Sequence, residues 1–208
     1  MRKALRNKTI YHLILILVIT FQSCALFDKE LINPNPLNKQ NLYELDGRYD
    51  TFNIQVDSIE HNYKRPISIN NSFLKEIDRK LIKDTLKLDN LKNYAFDIKI
   101  ISTKKIKIEY IENGKVFKES VFKTKLKKDG YLYLKNKNVQ LLLVPYIAGA
   151  LDVKRTRFTK SIKGNLIFDV SNHRSGAAFL VVFLDSKTWK YRQEYERKEK
   201  KRMLNWGI

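Results

Sequence analysis

The chain has one cysteine, Cys24, and three histidines in 208 residues. One thiol forms no internal disulfide, and no C-x-x-C pair is present to hold zinc or run redox chemistry. The seven glycines make no phosphate loop and no Gly-rich dinucleotide turn. No apolar run reaches the roughly 20 residues of a spanning helix. Crossover helices of the βαβ kind and internal repeats are also missing. Acidic residues are scarce, 22 against 41 basic, for a formal net charge of +19. Against these absences, 43% of the residues are hydrophobic and 12% aromatic. That is enough to bury a core and too much for global disorder. The length fits one domain with appendages.

The N-terminus indicates the compartment. "MRKALRNK" carries Arg2, Lys3, Arg6 and Lys8 and no acid, and the apolar "IYHLILILVITF" follows over residues 10–21. A charged head and a short oily core are the layout of a signal peptide, and this core is short for a span. "FQSC" then resembles a bacterial lipobox, with Phe21 three before the cysteine and the small Ser23 directly before it. The resemblance implies cleavage before Cys24, diacylglycerol on its thiol and palmitate-type acylation. An ordinary signal peptide with a chance cysteine, or an uncleaved anchor, are the competing readings. "DKE" at 28–30 partly matches the acidic surface-export signals of similar lipoproteins. The expected location is the cell envelope, at the outer membrane, on an undecided face.

Loss of residues 1–23 removes four basic residues and leaves 37 against 22, net +15. Outside the inner membrane such a charge points away from nucleic acid and toward anionic headgroups or envelope polysaccharides. The plainer alternative is that lysine is the solvated strand residue of a Lys- and Asn-rich proteome.

Residues 24–44 read as a lipid-anchored tether, held extended by "NPNP". The folded domain is expected over 45–197, with a basic tail over 198–208 whose Leu204 and Trp206 could touch lipid. In "LYELDGRYDTFNIQVD", Leu45, Gly47 and Tyr49 share one parity and Phe52, Ile54 and Val56 the other. The switch predicts a bulge near Asp50–Thr51 in a long first strand. Leu74, Ile77, Leu81 and Leu88 form the stripe of one short amphipathic helix, capped by Asn71 or Ser72. From Tyr94 onward, alternating runs are separated by turns such as Asn113–Gly114 and Asp129–Gly130. The fold class is mainly β: an antiparallel meander of 8–10 strands closing as a sandwich or barrel. The last strand, with Trp189, Tyr191, Gln193 and Tyr195 on one face, is placed to pair with the first and remove an exposed edge.

The opening "LDGRY" and this layout resemble the lipocalin-like class of small barrels. Gly47-Arg48-Tyr49 stands where that family has Gly-x-Trp, and the resemblance implies an arginine from the last strand, Arg192 or Arg197, over the aromatic ring. "KKDGYLYLKNKN", "LLVPYIAGAL" and "KGNLIFDVSN" (127–138, 142–151 and 163–172) are similar to segments of small uncharacterised lipoproteins of Bacteroidota-type bacteria. That resemblance implies a lipid-anchored β domain and no particular activity.

Catalytic material is thin. His12 lies in the signal segment, which leaves His61 and His173, and acylation blocks Cys24. Ser175, His173 and Asp169 could be assembled as a triad, but "SNHRSGA" lacks the context of a nucleophile elbow and reads as a polar turn at Gly176. No metal and no cofactor are expected. "DSI" at 57–59 and "DTL" at 84–86 resemble O-glycosylation sites of exported proteins. The expectation is a non-enzymatic binding module for a small hydrophobic or lipidic ligand. Tyr94, Phe96, Tyr131, Tyr133, Trp189 and Tyr191 are its candidate ligand-facing or core aromatics. The alternative is a structural or interaction protein whose basic surface meets an envelope polyanion or a protein partner. An enzyme of unrecognised type ranks last.

Overall fold

The computed structural model describes residues 26–58, 73–77, 89, 91–135, 138–144, 148–178 and 182–198. Cys24, the signal segment, His61, the helix caps Asn71 and Ser72, the stripe residues Leu81 and Leu88, "DTL" and residues 199–208 of the basic tail lie outside them. The chain is mainly β. Its strands are β1 (Gly47–Ser58), β2 (Tyr94–Ser102), β3 (Lys105–Glu112), β4 (Lys115–Leu126), β5 (Leu132–Leu134), β6 (Asn138–Val144), β7 (Ala148–Lys160), β8 (Leu166–Ala178) and β9 (Val182–Lys198). One short helix, α1 (Phe73–Ile77), and a 3-10 turn at Leu42–Leu45 complete the described elements. No described helix is long and apolar enough to cross a membrane.

All neighbouring strands run antiparallel. The order is β5-β4-β3-β2-β1-β9-β8-β7-β6, and a further pairing of β5 with β7 closes eight strands into a ring. β1 meets β9 as the sequence predicts. β5 is only three residues long, yet Leu132 and Tyr133 pair with Phe158 and Arg157 of β7 while the same strand pairs with β4. β5 thus occupies the lower part of the β7 edge. β6 takes the upper part, from Asn138 opposite Lys154 to Val144 opposite Ala148, and stands outside the ring.

Side-chain alternation sends one parity of each strand inward. Tyr49, Phe96, Ile98, Ile106, Ile108, Phe158, Phe168, Val170 and Tyr195 belong to one buried cluster. α1 completes it. Phe73 stacks on Phe96 at 3.6 Å between ring centroids and meets Tyr195 and Phe168 edge-on at 5.1 and 5.6 Å. Leu74 and Ile77 are buried beside it, as their stripe predicts. The ring interior at this level is therefore filled. Glu76 of the same helix pairs with Lys154 and accepts a hydrogen bond from the Tyr191 hydroxyl.

Two expectations need correction. The parity of β1 does not switch at Asp50–Thr51: Thr51 and Asn53 stay buried with Tyr49, and Ile54 is 47% exposed. The bulge expected near Asp50–Thr51 is present all the same: the register slips between Tyr49 and Asn53, and again between Asn53 and Gln55. The misleading signal is that this interior accepts polar residues while an isoleucine faces water. "SNHRSGA" is no turn but part of β8, and Gly176 marks a bulge against β9.

Candidate functional site

The 3-10 turn delivers Gly47 to the start of β1. Arg197 of β9 packs there, donating to the carbonyls of Glu44 and Asp46 at 3.0 and 2.6 Å. Its guanidinium stands 6.0 Å from the centre of the Tyr49 ring. A Cβ on Gly47 would meet that guanidinium at 3.0–3.2 Å, so any larger residue here would push Arg197 back by a few tenths of an ångström. Of the two arginines proposed for this contact, Arg197 makes it. Tyr49 donates to the Leu45 carbonyl at 2.9 Å. Burial pushes its pKa up to about 12.

Arg192 serves elsewhere. It points outward from β9 with Asp169 of β8 and Arg157 of β7, which are opposite one another in register. Asp169 is fully buried and holds both arginines. Arg157 Nε lies 2.8 Å from Oδ2, and Arg192 Nε and Nη2 lie 2.7 and 3.0 Å from the two oxygens. One carboxylate between two cations leaves the cluster positive. Burial works against the Arg192 cation, but the bonds to Asp169 outweigh it and its pKa stays raised.

The cover over this outward cluster is the segment Leu26–Leu37, which was expected to belong to a tether. It lies strapped along the outer face of the sheet. Ser171 donates to the Leu26 carbonyl at 2.9 Å, Tyr131 to Leu31 at 3.0 Å and Arg192 to Ile32 at 2.9 Å. The Thr159 hydroxyl lies 2.7 Å from Asn33 Oδ1 and 2.9 Å from the Asn35 carbonyl. Leu37 N–H donates to the Gly130 carbonyl at 2.8 Å. "NPNP", expected to be extended, instead bends at Pro34–Asn35, where the Asn35 N–H donates to Asn33 Oδ1 at 3.2 Å.

Strap and sheet enclose a cleft of about 920 Å³, lined by Phe27, Tyr131, Tyr133, Lys127, Leu134 and Arg157 among others. The Arg157 guanidinium sits between two rings, 3.6 Å from the centre of Tyr131 and 4.4 Å from that of Phe27. Its Nη1 donates to the Tyr133 hydroxyl at 3.3 Å, and its buried Nη2 has no partner among the described residues. Lys127 stands 3.6 Å above the Tyr133 ring. Burial raises the pKa of Tyr131 and of Tyr133, so both phenols remain protonated donors at neutral pH. The cleft can therefore hold an apolar body against aromatic walls and an acidic end among cations. A second hollow of about 530 Å³, at Arg48, Asp97 and Arg197, is polar, and its Arg48–Asp97 pair is already formed at 2.8 Å.

The six aromatics expected to act together divide between two faces. Phe96 is in the core, and Tyr94 and Tyr191 are turned toward Glu112 and Glu76. Trp189 lies under the Lys187 ammonium at 5.5 Å. Only Tyr131 and Tyr133 line the cleft. The paper triad is not assembled: Asp169 is engaged by the arginines, and His173 Nδ1 is 2.8 Å from the Thr188 hydroxyl. Among the described residues no cluster of three or more His, Cys, Asp or Glu could hold a metal.

Sequence reasoning passed over Arg157 and Phe27. One signal could have found the site. "LIF" at 166–168 is an unbroken apolar run, and Ile167, which shares the outward parity of Asp169, is only 5% exposed. Such a run marks a strand covered on both faces. No protein-family model, curated protein or solved structure matches this chain.

Proposed function

We propose that this chain is a lipid-anchored cell-envelope protein, attached through Cys24 to the outer membrane, and a non-enzymatic binding module. Its ligand is a small hydrophobic or lipidic molecule with an acidic end. The observation that carries the proposal is the strap-roofed cleft. It has aromatic walls and a guanidinium N–H, on Arg157, that is buried without a partner among the described residues. The eight-stranded ring, with Arg197 over Gly47 and Tyr49, supports assignment to a lipocalin-like barrel. The small Bacteroidota-type lipoproteins are the group we propose it belongs to.

Native mass spectrometry on gently extracted protein tests the ligand. The expected result is a bound small acidic amphiphile that is lost from Phe27→Ala/Tyr131→Ala protein. Protein that is repeatedly empty, or a double variant with unchanged occupancy, would overturn the reading. A polyanion-binding role is favoured by one observation: the exposed Lys105 of β3 stands directly opposite the exposed Lys123 of β4. Like charges placed directly opposite cost stability and suit an anionic surface. Association with envelope fractions that ignores salt would exclude that role.

A further inference from the structure

The strap-roofed cleft holds more positive charge than its pairings consume. Six of its lining residues are cationic and two are acidic, Asp28 and Asp129. Lys154 is spent on Glu76 of α1, and Asp28 faces Lys190 at 4.0 Å. Asp129 accepts from the Tyr133 hydroxyl at 2.5 Å and from the Tyr131 N–H at 3.3 Å. Under the floor, Asp169 serves Arg157 and Arg192 together, which leaves one positive charge over. Lys29, Lys127, Lys135 and Arg155 make no ion pair with a described carboxylate. With the surplus at Arg157 they set five positive charges against the one carboxylate of Asp129.

Arg157 fixes where an anion arrives. Its side chain is 7% exposed, with the Tyr131 ring at 3.6 Å and the Phe27 ring at 4.4 Å from the guanidinium between them. Nε is taken by Asp169 and Nη1 by the Tyr133 hydroxyl. The Nη2 arm is left, buried and without a partner among the described residues. With rings over the guanidinium, an oxygen reaches that arm in the guanidinium plane. The phenols offer no spare proton, since Tyr131 donates to the Leu31 carbonyl and Tyr133 to Asp129. The side-chain donors that remain beside Nη2 are cationic. Arg155 shares the Arg157 face of β7, about 7 Å along the strand, and Lys127 stands over the Tyr133 ring.

We infer that the acidic end of the ligand is a phosphate monoester, seated on Arg157 Nη2 with Lys127 and Arg155 beside it. Its apolar body lies against Leu31, Leu134 and Val153 of the same cleft. The inference rests on the proposed reading of this cleft as a site for an acidic amphiphile, and it names the head group. A phosphate monoester carries about −1.5 to −2 charges at pH 7 and three acceptor oxygens. Three oxygens can meet three cations that stand apart, and the charge suits a surplus larger than one. A carboxylate has two oxygens and one charge; it would satisfy Nη2 and leave most of the surplus unanswered. A neutral alcohol would leave all of it. Lys29 and Lys135 are exposed and add a longer-range pull that salt screens.

Full-length protein in phosphatidylcholine nanodiscs, with empty discs as the blank, is titrated calorimetrically at pH 8. The probes are octyl phosphate, octyl sulfate, octanoate, octanol and inorganic phosphate. Octyl phosphate is a dianion at this pH, since its second pKa is about 6. It should bind about tenfold tighter than octanoate, with octyl sulfate, which has the same shape and one charge, in between. Octanol and inorganic phosphate should each be weaker again. Lys127→Gln and Arg155→Gln lie outside the buried Asp169 cluster. Each should weaken octyl phosphate about threefold and leave octanol unchanged. Octanoate or octyl sulfate as tight as octyl phosphate, or octyl phosphate binding that both variants leave intact, overturns the phosphate head while the acidic-amphiphile site stands. Octanol as tight as octyl phosphate also overturns it and leaves a purely apolar site. Inorganic phosphate as tight as octyl phosphate removes the apolar body and the amphiphile reading with it. Failure of every probe to bind refutes both.

Discussion

Asp169→Asn is the most direct test of how the strap and cleft are held. The substitution keeps shape and removes one negative charge from between Arg157 and Arg192. Their side chains are 7% and 13% exposed, and that of Asp169 is 0%. Removing one partner of a buried ion pair costs about 3–5 kcal/mol, because the surviving charge stays desolvated. Here two guanidinium groups survive, so the upper end of that range applies. With a denaturant slope of about 2 kcal/mol per molar urea, the midpoint should fall by about 2 M. Asp97→Asn is the matched control. Its partner Arg48 is 32% exposed at the side chain, and a water-screened pair of this kind is worth at most about 1 kcal/mol. Urea unfolding followed by intrinsic fluorescence measures both. Hydrogen exchange supplies the local readout. Amides at Leu26–Asn33 should lose protection in Asp169→Asn well before the β2–β3 amides, because Arg192 also holds the Ile32 carbonyl. Equal small losses in the two variants, or an unchanged strap, would refute the assignment of Asp169 as its keystone.

Phe73→Ala should cost about 3–5 kcal/mol by thermal or urea unfolding, since it empties the space stacked on Phe96 and edged by Tyr195. A loss under about 1 kcal/mol would mean that α1 does not close the core. Tyr49 should make stability fall between about pH 10 and 12. Its folded pKa is raised to about 12 from 10.0, so in that window the unfolded chain sheds the proton that the folded one keeps. Urea midpoints across that range check the slope, which should be shallower in Tyr49→Phe; identical slopes would contradict the burial argument. Gly130 has φ +72°, and a Cβ there would fall 2.5 Å from Pro36 Cβ. Gly130→Ala should therefore detach Asn33–Leu37, seen as accelerated protease cleavage of the strap, and normal resistance would count against the docked geometry.

The meander was legible because its signals are local. Alternation in "YAFDIKI" and "KIKIEYI", and the Asn113–Gly114 turn, specify hairpins without reference to the rest of the chain. The pairing of β9 with β1 followed from the need to cover an edge. Closure through β5 was hidden, because three residues carry almost no pattern and their role depends on where β7 lies. The strap was hidden for another reason. The sheet grips it by the backbone carbonyls of Leu26, Leu31, Ile32 and Asn35, and a carbonyl leaves no trace in the residue type. Asparagine and proline there read equally well as free linker. Splitting the candidate aromatics between two faces followed from the same omission, since Tyr131 and Tyr133 face outward onto a roof that alternation alone does not reveal.

The strap alters what the proposed lipid anchor would do mechanically. A flexible chain of about 20 residues between anchor and domain would let the cleft range over some 25 Å from the bilayer. The domain's orientation would then be uncorrelated with the membrane. With Leu26 fixed by Ser171, only Cys24 and Ala25 would separate an acylated thiol from the sheet. The residues that would follow such an anchor, Leu26, Phe27 and Asp28, also form the roof of the cleft. Under the proposed acylation, anchor, roof and cleft would share one depth, near the headgroups. An acidic amphiphile could pass from the outer leaflet into the cleft by displacing Phe27 from Arg157, without crossing water. The exchange barrier would be set by that one cation–π contact and the roof hydrogen bonds, rather than by desorption of an acyl chain at about 0.8 kcal/mol per methylene.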